Sequence, residues 1–200
     1  FDCPDDIDER TDVIGADDRD FSDRPSLVAT WDFGEGPTLI VNGHMDTVGV
    51  DTFEGDPFRA EIKNGRMYGR GTSDCKGGVT CAVMAIKSVL DVADDLHGTL
   101  VFESVVDEEC NGSGAGTLAC IDRGYVGDQA LFVDGNDDTV TIGCSGCLTA
   151  AVHVEGKAGH AARGTGVNAV EKGVVVQQAI SQFKQARESD RPNARLNLGI

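Results

Sequence analysis

The sequence has little positive charge and no long apolar run. Its 17 Lys and Arg residues stand against 34 Asp and Glu residues, a formal net charge of −17. A surface of that sign repels DNA, RNA and anionic membranes, so none of these is an expected partner. No run is apolar enough to cross a bilayer and no signal peptide is visible, so we expect a cytoplasmic protein. The Asp-rich, Lys-poor balance predicts a halophilic protein, with an ordinary acidic protein as the alternative.

The sequence also lacks a disulfide framework. Its seven cysteines are odd in number and widely spread, unlike those of small secreted domains. Cys144 and Cys147 form a CxxC pair, but no second pair is present to complete a structural zinc site. We therefore expect most cysteines to be small buried hydrophobic residues in a reducing compartment.

Strands alternating with helices are predicted along most of the chain. Residues 1–25 are the exception, because their many Asp and Arg residues are typical of an acidic surface segment to which we assign no chemistry. The alternation beyond them indicates an α/β sheet flanked by helices. The predicted strands cover residues 26–31, 38–41, 99–106 and 130–133, with a hairpin over 60–68 and helices over 79–93 and 117–122.

The pattern changes near residue 148. A strand over 149–154, a long helix over 167–187 and a strand starting at residue 195 predict a second, small domain. We therefore divide the chain into residues 1–145 and residues 146–200.

A polar tip follows the strand over 38–41. In an extended segment residues two apart face the same side, so His44 and Asp46 point into one space. A surface His beside an Asp would give this pattern. A metal-bound imidazole whose second ring nitrogen is held by a carboxylate would give it too.

Two further strands end in residues of the metal-ligand type. Glu108 and Glu109 follow the strand over 99–106, and Asp134 follows the strand over 130–133. In open α/β sheets, ligands bind beyond the carboxyl ends of the strands. Asp74 lies in a glycine-rich loop just before a helix. Acids gathered at one place would repel one another without a cation, which favours a dinuclear metal site.

Four stretches carry a resemblance to a known family. GHMDTV (43–48), MYGRGTSDCKGG (67–78), DEECNGSG (107–114) and FVDG (132–135) resemble, in this order, motifs of the M20 metallopeptidases. That family includes acetylornithine deacetylase, succinyl-diaminopimelate desuccinylase, aminoacylases, glutamate-releasing carboxypeptidases and dipeptidases. The resemblance implies a zinc-peptidase-like catalytic domain with a mixed sheet, followed by the start of a small α+β dimerisation, or lid, domain.

The resemblance implies a role for each motif residue. His44 resembles a metal ligand, and Asp46 resembles the residue that orients it. Asp74 resembles the carboxylate that bridges two divalent ions, for which the family implies Zn²⁺, with Co²⁺ as the alternative. Glu108 resembles the general base and Glu109 the ligand beside it.

Two more residues take roles from the same resemblance. Asp134 occupies the place of a terminal metal ligand. His160 resembles the lid-domain histidine that reaches the partner subunit's active site in a homodimer and stabilises the developing oxyanion. The family's last metal-binding histidine lies farther downstream than Ile200. The resemblance therefore implies the front part of a longer enzyme, which need not be active alone.

The sequence thus predicts a metal-dependent hydrolase that cleaves the amide of an N-acyl amino acid or small peptide with a metal-activated water. On the family resemblance alone, removal of the acyl group from an N-acetyl or N-succinyl amino acid is the preferred reaction. A dipeptidase or carboxypeptidase of the same family is the alternative, because the metal site is shared. A non-catalytic metal-binding protein is a further alternative if the chain ends at Ile200, although a binding-only protein has no need of the base Glu108.

Overall fold

The computed structural model describes residues 1–10, 19–110, 112–135, 139–143 and 150–190. The chain divides into two compact units, Phe1–Cys147 and Leu148–Ile200, and each unit is described by itself. The CxxC pair of Cys144 and Cys147 and the strand predicted to start at residue 195 lie outside the described residues.

Six strands are described in the first unit. They are β1 Leu27–Asp32, β2 Thr38–His44, β3 Glu61–Lys63, β4 Arg66–Tyr68, β5 Thr99–Val105 and β6 Gln129–Phe132. Four of them form a mixed sheet in the order β1-β5-β2-β6, in which β1 is antiparallel to β5 and the other pairs are parallel. Strands β3 and β4 form the predicted hairpin, with Asn64 and Gly65 at positive φ in its turn. The predicted α/β sheet is therefore confirmed.

Two α-helices of this unit pack on the sheet, α1 Lys76–Val92 and α2 Ala115–Asp122. Ala82 and Ile86, four residues apart on one face of α1, pack with Val41 of β2 and Phe102 of β5. Ala115 of α2 is fully buried and packs near the end of β5. Among the described residues, no helix is both long enough and apolar enough to span a membrane.

The N-terminal segment is less of a surface feature than its composition suggests. Cys3 and Ile7 are 6% and 1% exposed and belong to the same core cluster as Ala115 and Ala119 of α2. The expectation of a purely superficial acidic segment is therefore wrong for these residues. The side chains of Cys3 and Ile7 cover the helix, while those of Asp5 and Asp6 between them are exposed.

The parallel pairing brings the carboxyl ends of β2, β5 and β6 to one edge of the sheet. His44 at the end of β2 lies opposite Val105 at the end of β5. Helix α1 approaches the same edge closely, since a Cβ at Gly78 would lie 1.9 Å from the backbone oxygen of Val133. The absence of a side chain at Gly78 lets the helix come this close to the residue before Asp134.

The second unit contains the 22-residue helix α3 Ala169–Asp190, close to the predicted helix. The predicted strand over 149–154 is wrong for residues 150–154, which have no strand pairing. A strand needs a neighbour for its hydrogen bonds, and the described part of this unit offers only an isolated bridge between Lys157 and Val167.

Candidate metal centre

His44 is held at the end of β2 with both ring nitrogens facing acceptors. Its side chain is 1% exposed. Nδ1 lies 3.1 Å from the backbone oxygen of Asp46 and 3.4 Å from its Oδ1. Nε2 lies 3.0 Å from Oδ1 of Asp74. Strand β2 therefore aims the imidazole at the glycine-rich loop, and the backbone after β2 fixes the orientation of the ring.

Asp46 joins the end of β2 to the segment after β5. Its Oδ2 accepts a hydrogen bond from the backbone N–H of Glu109 at 3.1 Å, and its Oδ1 accepts one from Glu108 at 3.4 Å. The backbone N–H of Val48 in turn donates to Oε1 of Glu109 at 3.4 Å. These contacts hold the two glutamates beside His44.

The predicted ligands converge around His44. Ligand atoms of His44, Asp74 and Glu109 lie within 4.8 Å of one another. A second group, within the same limit, contains His44, Cys75 and Asp134. Each group includes the imidazole, so the four sequence-predicted ligands are gathered at one edge of the sheet.

The electrostatics of this edge reflect its crowding. Burial raises the pKa of Glu108, and the negative charges of Asp134, Glu109 and Asp46 raise it further, while His44 lowers it. Burial and the neighbouring Asp74 likewise raise the pKa of Asp134. Burial by itself lowers the pKa of His44, but the hydrogen bond to Asp74 and the charge of Asp46 outweigh it and raise that pKa. Acids so close together favour a positive charge among them.

Cys75 is the residue after Asp74, and sequence reasoning gave it no role. It is fully buried, and its Sγ accepts from the backbone N–H of His44 at 3.2 Å and donates to the His44 oxygen at 3.3 Å. Burial raises the pKa of this thiol to about 11. A protonated thiol with both bonds made to the backbone serves to hold the end of β2.

Asp107, also missed from the sequence, supports the segment that carries the glutamates. It is buried, and its carboxylate pairs with the guanidinium of Arg19 and accepts from the hydroxyl of Ser113. The guanidinium also donates to Oγ of Ser113 at 2.7 Å. The sequence signal for Asp107 is its place in the acidic triplet Asp107-Glu108-Glu109, directly before the two glutamates of the site.

The described cysteines differ in burial, and His160 lies in the other unit. Of the five described cysteines, three are buried (Cys3, Cys75 and Cys120), Cys110 is half-buried and Cys81 is exposed. His160 belongs to the second unit, where it is exposed and its backbone N–H donates to Oγ1 of Thr165 at 3.2 Å.

Metal-dependent hydrolases bind their metal with groups of this kind, one imidazole and several carboxylates gathered at one edge of an α/β sheet. The model of Peptidase family M20/M25/M40 matches residues 40–192. The chain belongs to this family.

Individual relatives were found by sequence and by structure. The chain is 36% identical over 149 residues to N-formyl-4-amino-5-aminomethyl-2-methylpyrimidine deformylase of Bacillus subtilis. The aligned residues cover 68% of this chain and 34% of that protein. It is 32% identical over 139 residues to succinyl-diaminopimelate desuccinylase of Legionella pneumophila, covering 64% and 37%. An M20 family metallo-carboxypeptidase from Sulfolobus solfataricus aligns with a TM-score of 0.47 and 28% identity, covering 54% of this chain and 25% of that one. The chain thus spans little more than a third of the two sequence relatives.

Proposed function

We propose that the protein is a metal-dependent hydrolase that cleaves the amide bond of an N-acyl amino acid or small peptide. The observation that carries this proposal is the convergence of His44, Asp74 and Glu109 within 4.8 Å at the carboxyl ends of parallel strands. Membership of the peptidase family supports it.

The donor set fits divalent metal ions. Imidazole nitrogen and carboxylate oxygens are the ligands that Zn²⁺ takes in hydrolytic sites, and we propose two Zn²⁺ ions, with Co²⁺ as the alternative. His44, Asp74, Glu109 and Asp134 would hold the two ions, with Asp74 as the carboxylate shared between them. Two bound ions polarise an amide carbonyl and acidify a water molecule.

Glu108 is proposed as the general base. It follows directly after the buried Asp107 and precedes the proposed ligand Glu109, and burial raises its pKa above the ordinary value of a glutamate, which makes the carboxylate a stronger base. Its carboxylate would take a proton from the attacking water. As the new C–O bond replaces the C–N bond, it would return that proton to the leaving nitrogen. Asp46 would orient His44 and, through its bonds to two backbone N–H groups, keep Glu108 in place.

Removal of an acyl group is the reaction we favour over cleavage between two amino acids. The names of the two sequence relatives support it, since one is a deformylase and the other a desuccinylase. Both reactions split an amide and release a small carboxylic acid.

We further propose that the second unit is a lid and that the active protein is a homodimer. His160 would then stabilise the oxyanion in the partner's site. Replacing His160 by Ala should lower kcat by roughly 10²–10³ without loss of bound metal. An unchanged kcat in a dimeric His160→Ala protein would remove this role.

The net charge of −17 supports our proposal that the protein is halophilic and works in a salt-rich cytoplasm. Molar KCl shortens the Debye length to about 3 Å and should raise the melting temperature by screening surface repulsion. A melting temperature that stays flat or falls with KCl would indicate an ordinary acidic protein.

The function is tested with the purified chain, loaded with Zn²⁺ or Co²⁺. The substrates are N-formyl, N-acetyl and N-succinyl amino acids together with dipeptides, and the released amine is measured. We expect metal-dependent hydrolysis of the acyl amino acids, abolished by a chelator. Stoichiometric metal binding without hydrolysis of any substrate, found also for a protein extended to the length of the curated relatives, would instead favour a non-catalytic metal-binding protein.

A further inference from the structure

A pocket of about 910 Å³ opens beside the candidate metal centre within the first unit. One wall comes from the segment after β2, Met45–Gly49, and another from the segment after β5, which includes Glu109 and Cys110. A third wall comes from residues 19–21 and 23–25, in the N-terminal segment to which sequence reasoning assigned no chemistry. The residues proposed to orient and bind metal, Asp46 and Glu109, therefore share this space with that segment.

Most charged side chains of the pocket are engaged within the protein. Arg19 pairs with the buried carboxylate of Asp107. Asp46 accepts two backbone hydrogen bonds, and Glu109 accepts one from Val48. On the N-terminal wall, Oδ1 of Asp20 accepts from both the backbone N–H and the hydroxyl of Ser22.

Arg24 differs from these residues. Its side chain is exposed, and its guanidinium makes no hydrogen bond or ion pair to any residue that the structure describes. The hydrogen bonds from Ser22 lower the pKa of Asp20, and the positive charge of Arg24 adds only a small effect in the same direction. Asp23, beside it, also lines the pocket.

The backbone holds Arg24 at the rim of the pocket. Its N–H donates to the Phe21 oxygen at 3.1 Å, which closes a turn, and Pro25 follows it directly. Ser26 is then buried, and its N–H donates to the oxygen of Phe1 at 2.7 Å just before β1 begins. The backbone on both sides of Arg24 is thus held in place before a ligand binds, which lowers the entropy cost of binding.

We propose that Arg24 binds a carboxylate of the substrate in this pocket, so that the protein selects acyl amides that carry a second, anionic group. This inference rests on the proposed function. A guanidinium presents paired donors that match a carboxylate, and charge-assisted bonds of this kind are about twice as strong as neutral ones. Phe21, Met45 and Val48 supply apolar walls that suit the short carbon chain between amide and carboxylate. The carboxylate can belong to the acyl group or to the amino acid, and the substrates below distinguish the two.

The first experiment measures binding without turnover. Succinate is titrated calorimetrically into the Zn²⁺-loaded chain, with succinamide as the neutral ligand of the same length. Replacing Arg24 by Gln should weaken succinate binding by about tenfold or more, because a hydrogen bond to a charged group is lost. Lys at this position should give an intermediate affinity, since it keeps the charge but not the paired donors. The control is Arg59→Gln, an exposed arginine outside the pocket, which should bind as the unmutated protein does.

The second experiment locates the carboxylate. Hydrolysis is compared for N-succinylbenzylamine (acyl-side carboxylate), N-acetylphenylalanine (amine-side carboxylate) and N-benzylacetamide (neutral). The Arg24→Gln variant should raise KM about tenfold for one of the two anionic substrates, with kcat nearly unchanged and the neutral substrate unaffected. A general structural defect would instead impair all three.

The inference is overturned if the unmutated protein does not bind succinate, or if Arg24→Gln leaves succinate affinity unchanged. It is also overturned if the variant weakens succinamide as much as succinate. Arg24-dependent binding of succinate by a protein that hydrolyses none of the amides would uphold the pocket and contradict the proposed hydrolase. The two proposals can therefore fail separately.

Discussion

The first unit places acidic side chains in two settings along the same pair of strands. Inside the sheet, Glu103 of β5 is 2% exposed and its Oε2 accepts from Nδ2 of Asn42 on β2 at 2.7 Å. Beyond the sheet, Glu108 and Glu109 follow β5 and face His44, the last residue of β2. One acid stands in the interior of the strand pair, and several stand together at its end.

The two settings balance their charge by different means. Burial raises the pKa of Glu103, and hydrogen bonds from Asn42 and Cys120 oppose this less strongly, so protonation alone can relieve the interior acid. At the strand ends, each acid raises the pKa of its neighbours, as Asp134 and Glu109 do for Glu108. Protonating one of them still leaves the others crowded. The strand ends are therefore suited to bind cations, and the strand interior is not.

The largest effect is expected from neutralising Asp74, the acid whose Oδ1 lies 3.0 Å from Nε2 of His44. This change tests whether the acids at the strand ends bind cations. We expect Asp74→Asn to abolish turnover and to weaken metal binding by more than the 10–100-fold typical of lost outer-shell partners, because an amide does not bridge two cations. Metal content by elemental analysis and turnover are measured together. The control is Asp91→Asn, which removes only a surface pair with Lys87 on α1. Normal metal content and normal turnover in Asp74→Asn would contradict the dinuclear site.

Substitutions of the two adjacent glutamates distinguish the general base from the metal ligand. Glu108→Gln should keep the metal and lose on the order of 10²–10⁴ in kcat, because the proton acceptor is gone. Glu109→Gln should instead lower the metal content, since its carboxylate belongs to the group around His44. If Glu108→Gln loses the metal and a folded Glu109→Gln keeps it, the two roles have been assigned in reverse.

Much of this site could be predicted because its residues follow strands. The apolar runs before His44, Glu108 and Asp134 predict strands, and strands of an α/β sheet present their carboxyl ends together. The close approach at Gly78, in the first turn of α1, is indicated by the run of glycines that leads into and opens this helix. Local patterns of this kind fix where a residue lies along its own element.

What could not be predicted depends on contacts between distant segments. Arg19 meets Asp107 only after the N-terminal segment folds over the end of β5, and no periodicity in either segment announces the pair. Residues 19–21 and 23–25 have the composition of a solvated loop, yet they form a pocket wall. The strand predicted over 149–154 is wrong at residues 150–154 for a related reason, since apolar residues alone do not provide a neighbouring strand.

The smallest expected effect concerns the stability cost of the buried acid Glu103, inside the sheet. Burial raises the pKa of Glu103 above its ordinary 4.5, so the folded protein binds this proton more tightly than the unfolded chain does. Stability is therefore unaffected by this group below about pH 4.5, falls as pH rises toward the folded pKa and stays lowered above it. Gln keeps an oxygen for Asn42 and cannot ionise. We expect Glu103→Gln to gain about 1 kcal/mol in the free energy of unfolding at pH 7 and little at pH 4.

Urea unfolding of both proteins from pH 4 to pH 8 measures this difference, with Glu61→Gln on the exposed hairpin strand β3 as the control that should show no pH-dependent gain. A gain that grows with pH only at position 103 means that the interior acid costs stability when ionised, as the comparison requires. A Glu103→Gln protein that is less stable than the original at pH 7 would mean that the ionised carboxylate is held favourably by Asn42 and its neighbours. The interior and the strand ends would then not differ in the way argued above.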